Sequence, residues 1–290
     1  MKSRYFLPLM MVACSVLMLS CCSVKPKQSK QLKHLVILHT NDSHSQIEPV
    51  RTGPSAGLGG VDRRYEYFGE VKKENKANNV LILDAGDYNQ GTPFFTIFRG
   101  DAEVEIMNAL GYDATTLGNH ELDNGQEELA RRIKMLNFPT LCANYDFTGT
   151  PLEGLIHPYA IFNRGGFKIG VIGVTVRLNS LVMASALEGL EYKDPVPIAN
   201  ELARMLKEEE KCDIVIALSH LGYSTDNSTH TADLSLAEKS RNIDIIIGGH
   251  SHTYLTKETI RQNLDGQDVI ITQVGSKGEY VGRFDLTVGK

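Results

Sequence analysis

Five short apolar, β-branched runs constrain this chain more than any other feature, because each ends abruptly in a polar motif of one chemical type. The runs read Leu35-Val36-Ile37-Leu38, Val80-Leu81-Ile82-Leu83, Ala114-Thr115-Thr116-Leu117, Ile214-Val215-Ile216-Ala217-Leu218 and Ile243-Asp244-Ile245-Ile246-Ile247. An apolar run of this length, bounded by Gly and polar residues, reads as a buried strand. The motifs that follow are Asn41-Asp42-Ser43-His44, Gly86-Asp87, Gly118-Asn119-His120-Glu121, Ser219-His220 and Gly249-His250-Ser251-His252. In open α/β sheets a site forms beyond the carboxyl ends of the strands. The pattern therefore predicts one rim on which Asp, Asn and His converge.

Between these runs the chain predicts helices over 63–77, 100–110, 124–136, 195–211 and 232–240. Further strands are expected at 140–143, 160–162 and 168–174, and a closing set at 254–260, 269–274 and 280–288. Strands that alternate with helices favour a parallel or mixed sheet, so the fold class is α/β. The closing strands have no helices between them and are expected to be antiparallel.

The motifs offer carboxylate oxygen, amide oxygen and imidazole nitrogen, and no thiolate. That donor set suits Zn, Mn, Fe or Co. Each residue alone has an ordinary reading: Asp42 and Asp87 as turn residues or helix caps, His220 as a satisfied polar group after a strand. All five sites together are poorly explained that way. Seven ligands hold two ions if one carboxylate bridges, and two ions about 3.5–4 Å apart clamp an in-line displacement at phosphorus.

The stretches Leu38-His39-Thr40-Asn41-Asp42-Ser43-His44, Asp84-Ala85-Gly86-Asp87-Tyr88-Asn89-Gln90-Gly91-Thr92-Pro93, Gly118-Asn119-His120-Glu121-Leu122-Asp123 and Gly248-Gly249-His250-Ser251-His252 carry a resemblance. The chain resembles the calcineurin-like metallophosphoesterases and, more closely, the catalytic domain of the 5′-nucleotidase family. The resemblance implies a four-layer α/β/β/α sandwich and two divalent ions. It implies that Asp42, His44 and His252 hold one metal, that Asn119, His220 and His250 hold the other, and that Asp87 bridges them. His120 would face the phosphate as general acid or transition-state stabiliser, oriented by Asp123, and Asn144 would lie near the substrate. The implied activity is phosphate release from nucleotides. A cyclic-nucleotide phosphodiesterase or nucleotide-sugar hydrolase uses the same site chemistry. Members of that family continue into a second domain whose aromatic residues stack on the nucleobase. No such segment follows here, so a separate chain supplying that function is expected, or a loose specificity. Two loops are expected near the pocket, 53–60 for its glycines and 89–93 because it follows Asp87. His39 reads as structural.

Composition excludes one partner class. With a net charge of −5 and Lys and Arg scattered among Asp and Glu, the folded part has no basic run to form a nucleic-acid groove. The amino terminus predicts export: Lys2 and Arg4 precede an apolar stretch too short for a confident membrane span, followed by Ser20-Cys21-Cys22. This resembles a bacterial lipobox, with Cys21 or Cys22 carrying the lipid and the protein membrane-anchored in the periplasm or at the cell surface. The expected division is 1–22 as signal, 23–33 as polar tether and 34–290 as catalytic domain. Cys142 and Cys212 read as small buried hydrophobes.

Overall fold

The computed structural model describes residues 33–225 and 230–288. The signal, most of the tether, and both Cys21 and Cys22 lie outside them. In chain order the elements are β1 (Lys33–Thr40), α1 (Val61–Asn75), β2 (Val80–Asp84), α2 (Pro93–Phe98), α3 (Asp101–Leu110), β3 (Ala114–Thr116), α4 (Gln126–Ile133), β4 (Thr140–Leu141), β5 (Tyr145–Asp146), β6 (Ile156–His157), β7 (Tyr159–Arg164), β8 (Phe167–Thr175), β9 (Glu191–Tyr192), α5 (Pro195–Glu208), β10 (Ile214–His220), α6 (Asp233–Lys239), β11 (Ile245–Ile247), β12 (Thr259–Gln262), β13 (Asp268–Thr272) and β14 (Gly282–Val288).

Two six-stranded sheets run in the orders β14-β1-β2-β3-β4-β6 and β12-β13-β11-β10-β8-β7, and β5 and β9 form a separate ribbon. Side chains alternate between the faces of a strand, and each sheet is apolar on both. Leu35, Ile37, Leu81 and Leu83 of the first sheet meet Ile169, Val171, Ile216, Leu218, Ile245 and Ile247 of the second. The intervening Val36, Leu38, Val80 and Ile82 face the outer helices through Phe68, Val71, Val104 and Met107. Ile172, Val174, Val215, Ala217 and Ile246 face Ala199, Ala203, Leu206 and Leu236. These three apolar layers make the fold an α/β/β/α sandwich. His39, buried in β1, stacks on Phe284 and lies 3.3 Å from the Thr272 hydroxyl. Burial lowers its pKa to about 3, so it is a neutral structural histidine, as expected.

Strands β1, β2 and β3 are parallel, as are β8, β10 and β11. Within each sheet their carboxyl ends lie at one edge, and donor residues following strands of both sheets come within 4.8 Å of one another. The closing strands depart from expectation. β12 is antiparallel to β13 and β14 to β1, but β13 runs parallel to β11, pairing Ile245 with Ile270. The connection from Ile247 to Asp268 is long enough for a crossover without a helix. Tyr254 makes only an isolated bridge to Val274. The predicted 124–136 helix is shorter at both ends, opening after Gly125 at a φ of 84°. The 63–77 helix starts two residues early and stops where Lys76 turns left-handed. α2 was not foreseen: Pro93-Phe94-Phe95-Thr96-Ile97-Phe98 has no buried residue.

Candidate metal centre

The five motifs converge at the shared edge. Three overlapping trios have donor atoms within 4.8 Å of one another: Asp42–His44–His252, His44–Asp87–His120 and Asp87–His220–His250. Asn119 joins the third, its Oδ1 lying 2.9 Å from His250 Nδ1. The seven residues expected to hold two ions are thus brought together, with Asp87 common to both halves. Asp42, His44, Asp87, His250 and His252 all have φ between 48° and 70°. Non-glycine residues rarely adopt this conformation, and such strain clusters where a site over-determines the backbone.

Supporting bonds fix which ring nitrogen faces inward. His220 donates from Nδ1 to the Ala85 carbonyl at 2.6 Å, and His44 Nδ1 lies 3.1 Å from the Gln90 carbonyl. Their Nε2 atoms then face the ligand cluster, the arrangement that metal-binding imidazoles use. His44 Nε2 and His252 Nε2 are 2.9 Å apart, and His252 Nε2 is 3.4 Å from Asp42 Oδ1. Asp42 accepts the His250 backbone N–H on both oxygens at 3.0 Å, which joins the first motif to the last.

Two observations test whether this set fits a cation. His220 Nε2 is fully buried with no hydrogen-bond partner, although Asp87 Oδ2 lies 3.0 Å away. Burial alone would depress the His220 pKa, yet Asp87 and Asp42 outweigh it and push it up to about 10. Burial likewise opposes ionisation of Asp87, while His220, His120 and His44 hold its carboxyl well below the usual range. A buried site that forces charge onto an imidazole is one that calls for positive charge, and a divalent ion supplies it. His44 and His250 are lowered, chiefly by burial, His250 to about 4, so both are neutral and able to ligate.

His120 behaves differently. Its Nδ1 is 2.8 Å from Asp123 Oδ2, and this hydrogen bond raises its pKa, burial opposing and Asp87 assisting. Partly exposed, it stands beside His44 with ring centroids 5.3 Å apart. It lines an open cavity of about 530 Å³ with His44, Asp87, Asn119, His250 and His252, walled by Gln90, Gly91, Ser180, Leu181 and Lys277. The 89–93 loop thus reaches the cavity, whereas no residue of the 53–60 loop lines it. Asn144 does not line it either. It is fully buried, its Nδ2 donating to the Thr175 carbonyl and its Oδ1 accepting the Thr175 N–H, both at 2.8 Å. In place of the expected substrate contact, Asn144 brackets the segment after β4 to the end of β8, because its side chain is buried away from the cavity.

Four buried polar residues that support the ligands escaped the sequence reading. Glu121 Oε2 accepts N–H from Gly118 at 2.7 Å and from Asp87 at 3.0 Å. Asn41 Nδ2 donates to Asp42 Oδ2 and to the Gly275 carbonyl, both at 2.6 Å. Gln273 Nε2 donates to the Gly249 carbonyl at 2.8 Å, and Asp233 accepts the Ser219 hydroxyl at 2.5 Å. Glu121 and Asn41 lie inside the quoted motifs, so their neighbours in sequence were the available signal; Gln273 and Asp233 had none. Gly249 has no room for a side chain, since a Cβ there would sit 2.7 Å from the Ala85 carbonyl and 2.8 Å from His220 Nδ1.

A family model described as calcineurin-like phosphoesterase matches residues 35–254. The chain belongs to the calcineurin-like phosphoesterase family. These enzymes are metal-dependent hydrolases that use two divalent ions, and the Asp/His trios fit that requirement. A snake venom 5′-nucleotidase of Gloydius brevicauda is 35% identical over 87% of this chain and 45% of its own length. The 5′-nucleotidase of Rattus norvegicus is 34% identical over 86% of this chain and 45% of its own. The crystal structure of a 5′-nucleotidase precursor from Thermus thermophilus superposes with a TM-score of 0.77 at 33% identity, covering 89% of this chain and 54% of that one. The chain spans about half the length of the curated 5′-nucleotidases it matches.

Proposed function

We propose that the protein hydrolyses phosphate monoesters, with nucleotides as the substrate class. The observation that carries this reading is the placement of His120, held by Asp123, across one open cavity from two ligand sets that share Asp87. Asp42, His44, Asp87 and His252 would hold one ion, and Asp87, Asn119, His220 and His250 the other. When bound, the ions supply Lewis acidity that activates water and neutralises charge on the phosphoryl oxygens. His120 is the proton donor: its Nδ1 is bound to Asp123, so Nε2 is the atom that gives a proton to the leaving oxygen. Asp123 keeps that imidazole charged until the transfer. Asp87 is aimed by the His120 backbone N–H, 2.8 Å from its Oδ1, so the shared ligand and the acid are set by one turn of chain.

Relatives favour a second reading on the same site. The trifunctional nucleotide phosphoesterase protein YfkN of Bacillus subtilis is 31% identical over 87% of this chain. A Haemophilus influenzae NAD nucleotidase superposes with a TM-score of 0.76 at 27% identity. In that reading a cyclic phosphodiester or a nucleotide diphosphate bond is cut. Hydrolysis of AMP, read as inorganic phosphate, and of a cyclic nucleotide and a nucleotide sugar, read as the nucleoside monophosphate formed, each metal-stripped and with Mn, Zn or Co restored, separates the two. Metal-restored release from AMP supports the monoesterase. Turnover confined to the others replaces the substrate, and silence toward all three supports dependence on a separate substrate-binding chain.

The amino-terminal segment is proposed as a lipoprotein signal, with Cys21 or Cys22 lipidated and the enzyme anchored at the periplasmic or outer surface. Its support is the Lys/Arg, apolar, Ser-Cys-Cys order. Radiolabelled palmitate incorporation lost in the C21A/C22A double variant is the expected result; incorporation that persists would reject it.

A further inference from the structure

We propose that a second cleft beside the metal cavity is the leaving-group subsite, and that Phe94 is its stacking face for a planar aromatic group such as a nucleobase. The inference deepens the nucleotide reading above and rests on it. The cleft measures about 560 Å³, the size of a small-molecule site, and is lined by Ile47, Val50, Arg51, Thr92, Phe94 and Lys277 among others. Lys277 lines the metal cavity as well, so the two spaces adjoin. Its backbone N–H is bound to the Asp42 carbonyl at 2.7 Å, which fixes the junction to the metal centre.

Both walls of the cleft are direct continuations of ligand loops. The segment from Gln46 to Thr52 follows His44, and Thr92, Pro93 and Phe94 follow Asp87. The walls are tied together: the Thr92 hydroxyl donates to the Ser45 carbonyl at 2.7 Å, and Gly91 leaves no room for a Cβ against the His44 carbonyl. A group that passes Lys277 from the metal cavity therefore enters the cleft that Phe94 lines.

α2 is unusual in composition. A helix on a globular surface normally turns its apolar stripe inward. Here Phe94, Phe95, Ile97 and Phe98 occupy four of six positions and none is buried; Ile97 is 69% exposed and Phe98 47%. Phe94 and Phe98 lie nearly parallel, 21° between planes with centroids 6.3 Å apart, so Phe98 backs the Phe94 ring. Every nucleobase presents a π-face, and stacking on such a ring tolerates base identity. The subsite therefore selects for a planar leaving group rather than for one base.

The test compares AMP with ribose 5-phosphate, which share the sugar phosphate and differ in the base. In the full chain with metal restored, F94A should raise KM for AMP about tenfold, leave kcat within about twofold, and leave ribose 5-phosphate unchanged. F94W should restore the AMP value. An unchanged KM for AMP, or an equal rise for both substrates, would overturn the proposal. Calorimetric titration with adenosine reads the subsite without turnover. Adenosine binding that is lost in F94A supports the subsite even if AMP proves not to be a substrate, in which case only the nucleotidase reading fails. A parent protein that does not bind adenosine at millimolar concentration rejects the subsite.

Discussion

Glu121 is the buried residue whose removal discriminates best between a scaffolded metal centre and a loose cluster of surface ligands. Its side chain is fully buried and accepts two firm backbone hydrogen bonds, from Gly118 and Asp87, and a longer one from Asn89 at 3.3 Å. In E121A the two firm donors lose their acceptor inside a fully buried site. A buried unsatisfied donor costs about 1–3 kcal/mol, so two cost roughly 4 kcal/mol at mid-range, before any cavity term. For a domain of this size that corresponds to a fall in melting temperature of roughly 8–16 °C. E121Q should cost only about 1 kcal/mol, because its carbonyl oxygen takes the position of Oε2 and serves the same two donors. Burial, followed by the nearby Asp87 charge, pushes the Glu121 carboxyl up to about 7, so losing its charge near neutral pH is a small perturbation. The melt should be run on metal-stripped protein, because bound ions stabilise by mass action and would mask the difference. Metal content after reconstitution is the second readout: Glu121 positions the Asp87 and Gly118 peptides, so E121A should bind less than its parent. An E121A protein that melts within about 2 °C of the parent and retains full metal content would refute the reasoning.

Other expectations follow from the same geometry. Replacing His120 with Asn should cut kcat by about 10²–10⁴-fold, the usual worth of a general acid, while elemental analysis finds metal content unchanged; full activity in H120N removes it from the mechanism. Because the Asp123 hydrogen bond raises the His120 pKa, its charged form persists to higher pH than in a free imidazole. In D123N that support is gone, so the alkaline limb of the kcat/KM profile should move to lower pH; a limb that stays in place assigns the titration to another group. Exhaustive chelation should abolish phosphate release and lower the melting temperature, and restoring Mn or Zn at about 100 times the dissociation constant should return about 2.7 kcal/mol of stability. Equal melting with and without metal would count against the assigned ligands.

Much of the site was legible before any coordinates because its ligands follow strands immediately. A buried parallel strand is an unbroken apolar run, and the residue that ends it must lie at the carboxyl edge of the sheet. Asp42, Asp87, Asn119, His220 and His250 could each be placed in this way from neighbours within a few positions. The same local logic located α5, where Asp194 caps the helix by accepting the Val196 N–H and Pro195 opens it.

Tertiary structure alone decided what depends on partners distant in sequence. Asn144 looked like a rim residue, but its amide is consumed by Thr175, 31 positions on. β13 looked antiparallel in a helix-free stretch, but the β11 edge accepted it in parallel. Gln273 and Asp233 carried no motif, and became supports only because β13 and α6 fold back beneath Gly249 and Ser219. α2 was invisible as a helix, since Phe-Phe-Thr-Ile-Phe has the composition of a buried strand, and its exposure beside the metal cavity is a property of the assembled fold. Strand order and burial pattern are written in local periodicity, which a sequence displays directly. Hydrogen-bond satisfaction and surface placement are set by whichever segments the packed sheets bring into contact, and those segments are separated by tens to hundreds of residues.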